Sequence, residues 1–189
     1  MKYSLIALSL SAVMISSAYA ATDSYTIDPH HAFPVFEVSH LGFSTQRGRF
    51  DETSGKVTLD MAAKSGSVDL TINTKSLDMG FPLWNEHLSA EGFFNTEKFS
   101  TMTYKSTNLI FSGDKVVAAD GDFTLLGVTK PLHVTVTNFH CGINPMNIKR
   151  LCAGDISASF KRSDYGMIKY LPVVGDDIKI NVPIEAYKD

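Results

Sequence analysis

Apolar and polar residues alternate along most of this chain, which is the pattern of β-strands that bury one face. Over residues 34–40, Phe36, Val38 and His40 fall on one face, and the residues between them fall on the other. The same period of two predicts further strands over residues 68–73, 102–105, 116–126, 132–139, 155–162 and 177–187. With the shorter runs included, we expect about eight or nine strands, most of them joined by short turns.

Two polar segments between such runs predict hairpin turns. Residues 51–55 lie between strand-like runs at 48–50 and 56–60, and residues 112–115 combine Ser, Gly, Asp and Lys. Gly and Asp favour the backbone conformations that reverse a strand, so each segment is expected to connect two adjacent antiparallel strands.

The stretch 76–100 breaks the alternation and is rich in aromatic residues. Trp84 and Leu88 lie four positions apart, so one or two helical turns over residues 82–90 would place both on one face. Pro82 is tolerated at the start of such a helix, because the N–H that it lacks would be unpaired there in any case. We therefore expect a partly helical crossover to interrupt the sheet.

Many antiparallel strands with one short helical segment leave two architectures, a β-sandwich and a closed β-barrel. The alternation alone does not choose between them. A barrel of about eight strands has an interior that side chains just fill, or that holds one slender ligand. The pattern therefore predicts an all-β domain of either kind.

The N-terminal residues have the three parts of a secretory signal peptide. Lys2 supplies the positive start, residues 5–17 form an apolar run, and Ala18–Ala20 has the small-x-small pattern that signal peptidase requires. The apolar run is shorter than the roughly 20 residues that span a bilayer, which argues against a membrane anchor. We expect a signal peptide over residues 1–20, a mature domain over residues 21–189, and export from the cytoplasm.

Length and charge narrow the class of protein further. A mature chain of this length suits one domain with a sizeable core. The formal net charge is −3 and no basic run occurs, which argues against nucleic acid as the main partner. No second apolar segment approaches the length of a membrane span, so we expect no integral membrane segment in the mature domain.

The two cysteines, Cys141 and Cys152, both lie in the predicted mature domain. Export to an oxidising compartment favours a disulfide between them. Closure of the intervening loop would contribute about 2–3 kcal/mol of stability. A redox-active pair is the alternative, although the Cys-x-x-Cys spacing typical of that chemistry does not occur.

The sequence carries no recognisable catalytic motif. It lacks Gly-x-Ser-x-Gly, His-Glu-x-x-His, a P-loop and dinucleotide-binding glycines, so we predict no catalytic residue, no metal site and no cofactor. Two histidines are candidates for a site. His40 lies on the apolar strand face and His87 lies in the aromatic crossover. Each is either a hydrogen-bonded core histidine or a polar group that fixes the head group of a ligand.

Aromatic residues are the more informative signal. They are spread over the predicted strands and the crossover: Phe33, Phe36, Phe43, Phe50, Phe81, Trp84, Phe93, Phe94, Phe99, Tyr104, Phe111 and Phe123. An ordinary core explains this composition without a ligand. An apolar cavity lined by rings, the usual composition of a small-molecule site, is the second interpretation.

Several motifs, taken in order and spacing, resemble one known family. They are Tyr25–His31, Phe36–Phe50, Asn85–Leu88, Gly92–Asn95, Gly121–Lys130 and Arg162–Gly166. Together they resemble the YceI-like family of bacterial periplasmic proteins, over nearly all of residues 25–187. Each motif alone is weakly specific, and the ordered set is strongly specific.

The resemblance implies both a fold and a function. The implied fold is an eight-stranded antiparallel, lipocalin-like barrel with a short helical crossover. The implied function is a periplasmic carrier that holds a long isoprenoid molecule, either an isoprenoid quinone such as ubiquinone or a polyprenyl phosphate. The expected partner is therefore a long-chain isoprenoid lipid, and a homodimer is an open alternative to a monomer.

The resemblance also implies residues that line the pocket. Phe36, Val38 and His40 would line it from the first long strand, and Leu88, Phe93 and Phe94 would line it from the crossover. Our own reading of local spacing and of the ring-rich segments adds further candidates to this ligand-binding set: Phe43, Phe81, Trp84, His87, Phe99 and Tyr104.

One departure from the family pattern bears on the head group. Trp84 and Asn85 stand where the family often has Arg and Asp, which favours a neutral head group such as a quinone. Two other functions are alternatives. One is a periplasmic enzyme that uses His40 or His87 as acid or base on a small apolar or isoprenoid substrate. The other is an interaction protein whose interior is only a core.

Overall fold

The computed structural model describes residues 22–189, so the predicted signal peptide lies outside the described residues. The strands are β1 Asp23–Ile27, β2 Val35–His40, β3 Ser44–Phe50, β4 Thr53–Asp60, β5 Ser65–Asn73, β6 Leu77–Asp78, β7 Thr101–Ser112, β8 Lys115–Leu125, β9 Val128–Ile143, β10 Arg150–Lys161 and β11 Val174–Lys188. Helix α1 spans Pro82–Ser89, which confirms the predicted crossover helix, and short 3-10 helices span Pro29–His31, Thr74–Ser76 and Arg162–Tyr165. No helix in this part of the chain is long and apolar enough to cross a membrane.

Neighbouring strands are antiparallel, and they form one closed barrel. β1 pairs with β4 on one side and with β11 on the other. The pairing with β11 closes the ring β1-β4-β5-β7-β8-β9-β10-β11. Eight strands therefore surround the interior, which confirms the eight-stranded barrel and excludes the sandwich.

The three remaining strands extend walls of this ring. β11 pairs with β1 where Ile27 lies opposite Ala186, and with β2 where Val35 lies opposite Asn181. β1 and β2 thus form one wall that is interrupted by the turn at Pro29–His31. By the same pairing logic, β3 and β4 form one interrupted wall, and β5 and β6 form another.

One of the two predicted hairpins is wrong. β3 and β4 flank residues 51–55 but do not pair with each other, because β3 pairs with β2 and β4 pairs with β1. The chain bends there without reversing, and the Asp51 N–H donates to the Ser76 carbonyl oxygen at 3.0 Å. These polar residues therefore mark a bend within one wall of the barrel. The second predicted hairpin is confirmed, with Ser112 opposite Lys115.

The predicted disulfide is confirmed. Cys141 on β9 lies opposite Cys152 on β10, and their sulfur atoms are bonded. The bond ties two neighbouring walls together just before the loop that joins them. It lies at the end of the barrel opposite α1, since β9 begins beside Leu125 and runs away from it.

The Asp189 side chain, which directly follows β11, bonds to residues of the neighbouring strands β1 and β4. Its carboxylate accepts hydrogen bonds from the Ser24 hydroxyl at 2.6 Å, from the Lys56 ammonium at 2.9 Å and from the Thr26 hydroxyl. The hydrogen bonds from Ser24, Thr26 and Lys56 favour the ionised form and lower the pKa of Asp189 to about 2. This contact helps to hold the seam at which the barrel closes.

We expect the Asp189→Asn variant to have a weaker dependence of stability on acid. A carboxyl group whose pKa is lower in the folded chain stabilises the fold above its unfolded pKa of about 3.9, and this contribution is lost as the pH falls. Urea unfolding midpoints measured from about pH 5 to about pH 2 should fall less steeply in the variant than in the wild type. Equal slopes in the two proteins would show that this contact does not stabilise the seam.

Candidate ligand-binding cavity

The barrel interior contains two chambers that lie end to end. The first, which we call the outer chamber, has a volume of about 280 Å³ and lies beside α1 and the segment 162–174. The second, the inner chamber, has a volume of about 110 Å³ and lies toward the disulfide. Three residues on the wall of the outer chamber, Trp84, His87 and Tyr170, are exposed to solvent, whereas every residue that lines the inner chamber is at least half-buried. The interior therefore opens at the α1 end.

The outer chamber brings together most of the predicted ligand-binding residues. Eight of the twelve line it: Phe36, Val38, His40, Trp84, His87, Leu88, Phe93 and Phe94. β2 contributes the first three because alternate side chains of a strand face the same side. The crossover contributes the other five, since it folds over the open end of the barrel.

A cluster of phenylalanine rings shapes one wall of the outer chamber. The Phe36 and Phe94 ring centroids lie 5.7 Å apart, and the Phe50 and Phe94 rings meet edge to face at 5.2 Å. Gly48 lies opposite Phe36 on β3, and a Cβ atom there would lie 2.5 Å from Cζ of Phe36. The missing side chain at Gly48 therefore leaves the space that the Phe36 ring occupies.

The mouth of the outer chamber lies between α1 and the segment 162–174. The His87 ring packs 4.8 Å from the Phe93 ring and stacks on the Tyr170 ring at 6.2 Å. The Lys169 ammonium lies over the same two aromatic rings, at 5.1 Å and 5.4 Å. His87 is thus a polar edge of the mouth, while His40 lies deeper and is half-buried.

Arg162 holds the segment 162–174 in place from inside. It is only 3% exposed, and its guanidinium donates to four backbone carbonyl oxygens at 2.8–3.0 Å, those of Met167, Lys169, Val174 and Gly175. Burial lowers the pKa of Arg162, and the nearby Asp176 carboxylate partly opposes that shift. Arg162 also lines the outer chamber, but most of its donors are already used by the backbone.

Charge is otherwise scarce on the walls of the outer chamber. No Asp or Glu lines it within residues 22–189, and its other polar side chains include Gln46, Tyr170 and the two histidines. The Asn85 amide is used elsewhere, because its oxygen accepts the Met79 N–H at 2.7 Å. The chamber can therefore surround an apolar chain and offers neutral hydrogen-bonding groups near its mouth.

The inner chamber is lined mainly by aliphatic side chains, and none of its lining residues in the described part of the chain is charged. Tyr104, a predicted site residue, lines this chamber and not the outer one. Its hydroxyl donates to the Ala119 carbonyl oxygen at 3.2 Å. Burial, together with Asp120 and Asp122, raises the pKa of Tyr104 to about 12, so the hydroxyl stays neutral at physiological pH.

The remaining three predicted residues line neither chamber. Phe43 is 92% exposed, because it follows the left-handed residues Leu41 and Gly42 in the turn between β2 and β3. Phe81 precedes α1 and packs against the outer side of Trp84 at 6.3 Å between centroids. Phe99 lies in the loop before β7, where its ring covers Gly127. These corrections arise because the three residues lie in turns, where alternation does not fix the direction of a side chain.

The later strands and the segment 162–174 contribute lining residues that the local patterns did not indicate. Phe123, Phe160, Arg162, Met167, Tyr170, Ile178 and Ile180 all line the outer chamber. Alternation within β8, β10 and β11 places these strand residues on the inner face, but it does not separate a chamber wall from an ordinary core. Arg162 has no local signal, since its partners are backbone carbonyl groups.

Exposed apolar side chains flank the mouth. We call the residues Leu41, Phe43, Leu83, Ile168 and Val173 the rim; each is at least half exposed. They come from the β2–β3 turn, from α1 and from the segment 162–174. The Leu41 N–H donates to the Val173 carbonyl oxygen at 2.8 Å, which holds two of these segments together.

Comparisons with known proteins agree with the architecture. The sequence pattern of the YceI-like domain matches residues 25–186. A UPF0312 protein of Shewanella denitrificans is 34% identical over 191 residues, which cover 99% of this chain and 98% of that protein. The crystal structure of Burkholderia cenocepacia BcnA has a TM-score of 0.68 at 22% identity and covers 84% of this chain and 98% of its own. A polyisoprenoid binding domain from Saccharophagus degradans has a TM-score of 0.61 at 17% identity and covers 87% and 98%, respectively.

Proposed function

The chain belongs to the YceI-like family, and from this premise we propose that it binds a long isoprenoid lipid inside its barrel and carries it through the periplasm. The observation that carries the proposal is an apolar interior that opens at the α1 end of the barrel. Such an interior buries an extended apolar chain and leaves one end of the ligand near water. The fold shared with a polyisoprenoid binding domain supports the choice of ligand class.

We propose a neutral head group, such as the quinone ring of ubiquinone, in preference to a phosphate. The two cations described at the outer chamber and its mouth already have partners: the Arg162 guanidinium donates to four backbone carbonyl oxygens, and the Lys169 ammonium lies over the Phe93 and Tyr170 rings. A phosphate would have to displace one of these contacts, whereas a neutral head group need not. His87 and Tyr170 are exposed at the mouth and can hydrogen-bond with the carbonyl oxygens of a quinone ring that lies there, with its tail in the outer chamber. A polyprenyl phosphate is the competing ligand in the experiment below.

Lipid extraction of purified protein tests the proposal directly. The full chain is expressed, the exported protein is purified without detergent, and bound molecules are extracted with solvent and identified by mass spectrometry. We expect an isoprenoid quinone in about equimolar amount. Delipidated protein should then bind ubiquinone more tightly than a polyprenyl phosphate of the same tail length. Repeated preparations that contain no isoprenoid, together with no binding of either lipid by delipidated protein, would contradict the proposed function.

Two observations support a carrier in the periplasm. The disulfide between Cys141 and Cys152 fits an oxidising compartment, which agrees with the predicted signal peptide. A long apolar tail that crosses water costs about 0.8 kcal/mol for each CH₂ group that is exposed. The apolar rim supports direct exchange with a membrane, which avoids this cost. A homodimer that covers the rim would slow this exchange, and sedimentation of the purified protein distinguishes dimer from monomer.

We expect the Phe43→Ser variant to slow lipid transfer without weakening equilibrium binding. Phe43 lines neither chamber, so this substitution leaves the binding site unchanged. It removes the most exposed side chain of the rim. Transfer of a fluorescent isoprenoid from vesicles should slow by roughly threefold to tenfold, the effect of losing about 1 kcal/mol of apolar contact with the bilayer.

The Met146→Ser variant is the matched control for the transfer measurement. Met146 is 90% exposed and lies in the loop between β9 and β10, at the end opposite the mouth. This variant should transfer lipid at the wild-type rate. An equal slowing in both variants would indicate a general effect of surface hydrophobicity and would contradict a role for the rim.

We favour binding over catalysis for His40 and His87. Neither side chain forms a hydrogen bond with a carboxylate among the described residues, so neither has the orienting partner of an acid–base pair. Replacement of each by Gln keeps a hydrogen-bonding group, and the variants should still bind isoprenoid. A turnover of bound lipid that either variant abolishes would instead indicate an enzyme.

A further inference from the structure

The two chambers meet at one level of the barrel. Among residues 22–189, Phe123 and Ile180 alone line both chambers. Along β11, Val174 and Ile178 line the outer chamber alone, and Val182 and Ile184 line the inner chamber alone. Ile180 therefore lies where one chamber ends and the other begins.

The opposite wall shows the same order. Along β8, Leu125 lines the outer chamber, Phe123 lines both, and Ala119 and Val116 line the inner chamber. Because β8 and β11 are not neighbours in the ring, the boundary spans the interior from one wall to another. Two strands that are not neighbours thus place the boundary between the chambers at the same depth.

The Phe123 ring is held firmly at this boundary. It is 3% exposed, and its centroid lies 5.2 Å from that of Phe160 and 5.5 Å from that of Tyr165. Phe160 and Tyr165 also contact each other at 5.4 Å, so the three rings form a closed cluster. A ligand that fills both chambers must pass this packed ring, while a ligand that ends in the outer chamber need not.

Volumes indicate how much chain each chamber accommodates. An apolar cavity of about 150 Å³ accommodates a benzene molecule, which has six carbon atoms. On that scale, the outer chamber of about 280 Å³ takes roughly two five-carbon isoprene units, and the inner chamber of about 110 Å³ takes roughly one. The third unit of a tail is therefore the first to meet the boundary.

We propose that Phe123 and Ile180 form a neck that sets how tail length contributes to affinity, an inference that rests on the proposed function. The first two isoprene units lie in the outer chamber and leave the neck closed. The third unit passes the neck and fills the inner chamber, whose wall has no charged side chain. Tails are thus distinguished by whether they reach beyond Phe123.

Binding of a series of ubiquinones with one to four isoprene units to delipidated protein tests the neck. The Val134→Phe variant adds a ring to the wall of the inner chamber, and the Thr135→Phe variant places the same ring on the outer face of the same strand. We expect Val134→Phe to lower the affinity for the three-unit and four-unit quinones by at least about tenfold. Affinity for the one-unit and two-unit quinones should stay within about twofold, and Thr135→Phe should match the wild type throughout.

A second variant opens the neck and does not depend on the folding of an overpacked barrel. Phe123→Leu removes the ring at the neck, and we expect it to raise the ratio of the association rate of the four-unit quinone to that of the one-unit quinone by at least about threefold. If the wild type binds neither the quinones nor a polyprenyl phosphate, the proposed function fails. If it binds the quinones, either of two results would contradict the proposed neck. One is that Val134→Phe weakens binding of short and long tails equally, and the other is that neither variant changes how binding depends on tail length.

Discussion

Replacement of Arg162 by Ala should lower the free energy of unfolding by about 3–5 kcal/mol. The reason is the number of acceptors that lose their donor: four backbone carbonyl groups of residues 167–175 bond to this one guanidinium inside the protein. Each buried carbonyl left without a partner costs about 1–3 kcal/mol, and entry of water offsets part of that cost. For a domain of this size, the thermal midpoint should fall on the order of 10 °C.

Two further variants separate this network from the effect of charge. Lys161→Ala removes a neighbouring cation whose ammonium contacts Asp177 at 3.0 Å on the surface, and its urea midpoint should stay close to that of the wild type. Arg162→Lys keeps the charge but has all three of its donors on one nitrogen, so it cannot reach the four carbonyl groups. Its loss of unfolding free energy should be more than half of the loss in Arg162→Ala. Urea unfolding monitored by circular dichroism provides the comparison. An Arg162→Ala protein within 1 kcal/mol of wild type would show that the segment 162–174 is held by other contacts.

Local patterns predicted the elements of this fold better than their arrangement. Alternation is a property of neighbouring residues, and it correctly indicated strands such as β2 and β11. Closure depends on β1 and β11, whose paired residues Tyr25 and Lys188 lie at opposite ends of the described chain. No local pattern carries that information, so the residues alone left barrel and sandwich open, and only the family resemblance selected the barrel.

The bend at residues 51–55 shows why a turn signal is ambiguous. Polar residues and glycine favour any departure from regular strand structure, and a reversal is only one of them. Here the chain changes partner, from β2 to β1, without changing direction. Whether the chain bends or reverses here is decided by the pairing of β1 and β2 with β11. The sequence of residues 51–55 carries no information about that pairing.

The residues of the site also fall into two groups, those that a local pattern assigns and those that only the closed ring of strands brings together. Phe36, Val38 and His40 could be assigned to one wall because they share one face of a single strand. Phe123 and Ile180 lie on distant strands, and their meeting at one level follows only from the closed ring. Phe43 was assigned to the pocket from its aromatic character, which does not distinguish a ring that faces the interior from one at the tip of a turn.

The Val38→Trp variant should abolish most lipid binding while keeping the barrel folded. Val38 lies on β2 between Gln46 and Ile178 on the neighbouring strands and faces the outer chamber. An indole there occupies space that the first isoprene units would fill. Loss of about 100 Å² of buried apolar contact corresponds to about 2.5 kcal/mol, or roughly a hundredfold weaker binding.

Ser39→Trp provides the matched control, because Ser39 is the next residue on β2 and faces solvent. It introduces the same side chain on the same strand and should leave affinity within about threefold of wild type. Titration of delipidated protein with a short-tailed quinone measures both variants, and near-ultraviolet circular dichroism verifies that each retains native packing. Because the outer chamber must admit the ligand before the inner one can, Val38→Trp should weaken binding of every tail length, whereas Val134→Phe should weaken only the longer tails. Wild-type affinity in a folded Val38→Trp protein would place the lipid elsewhere than in the barrel.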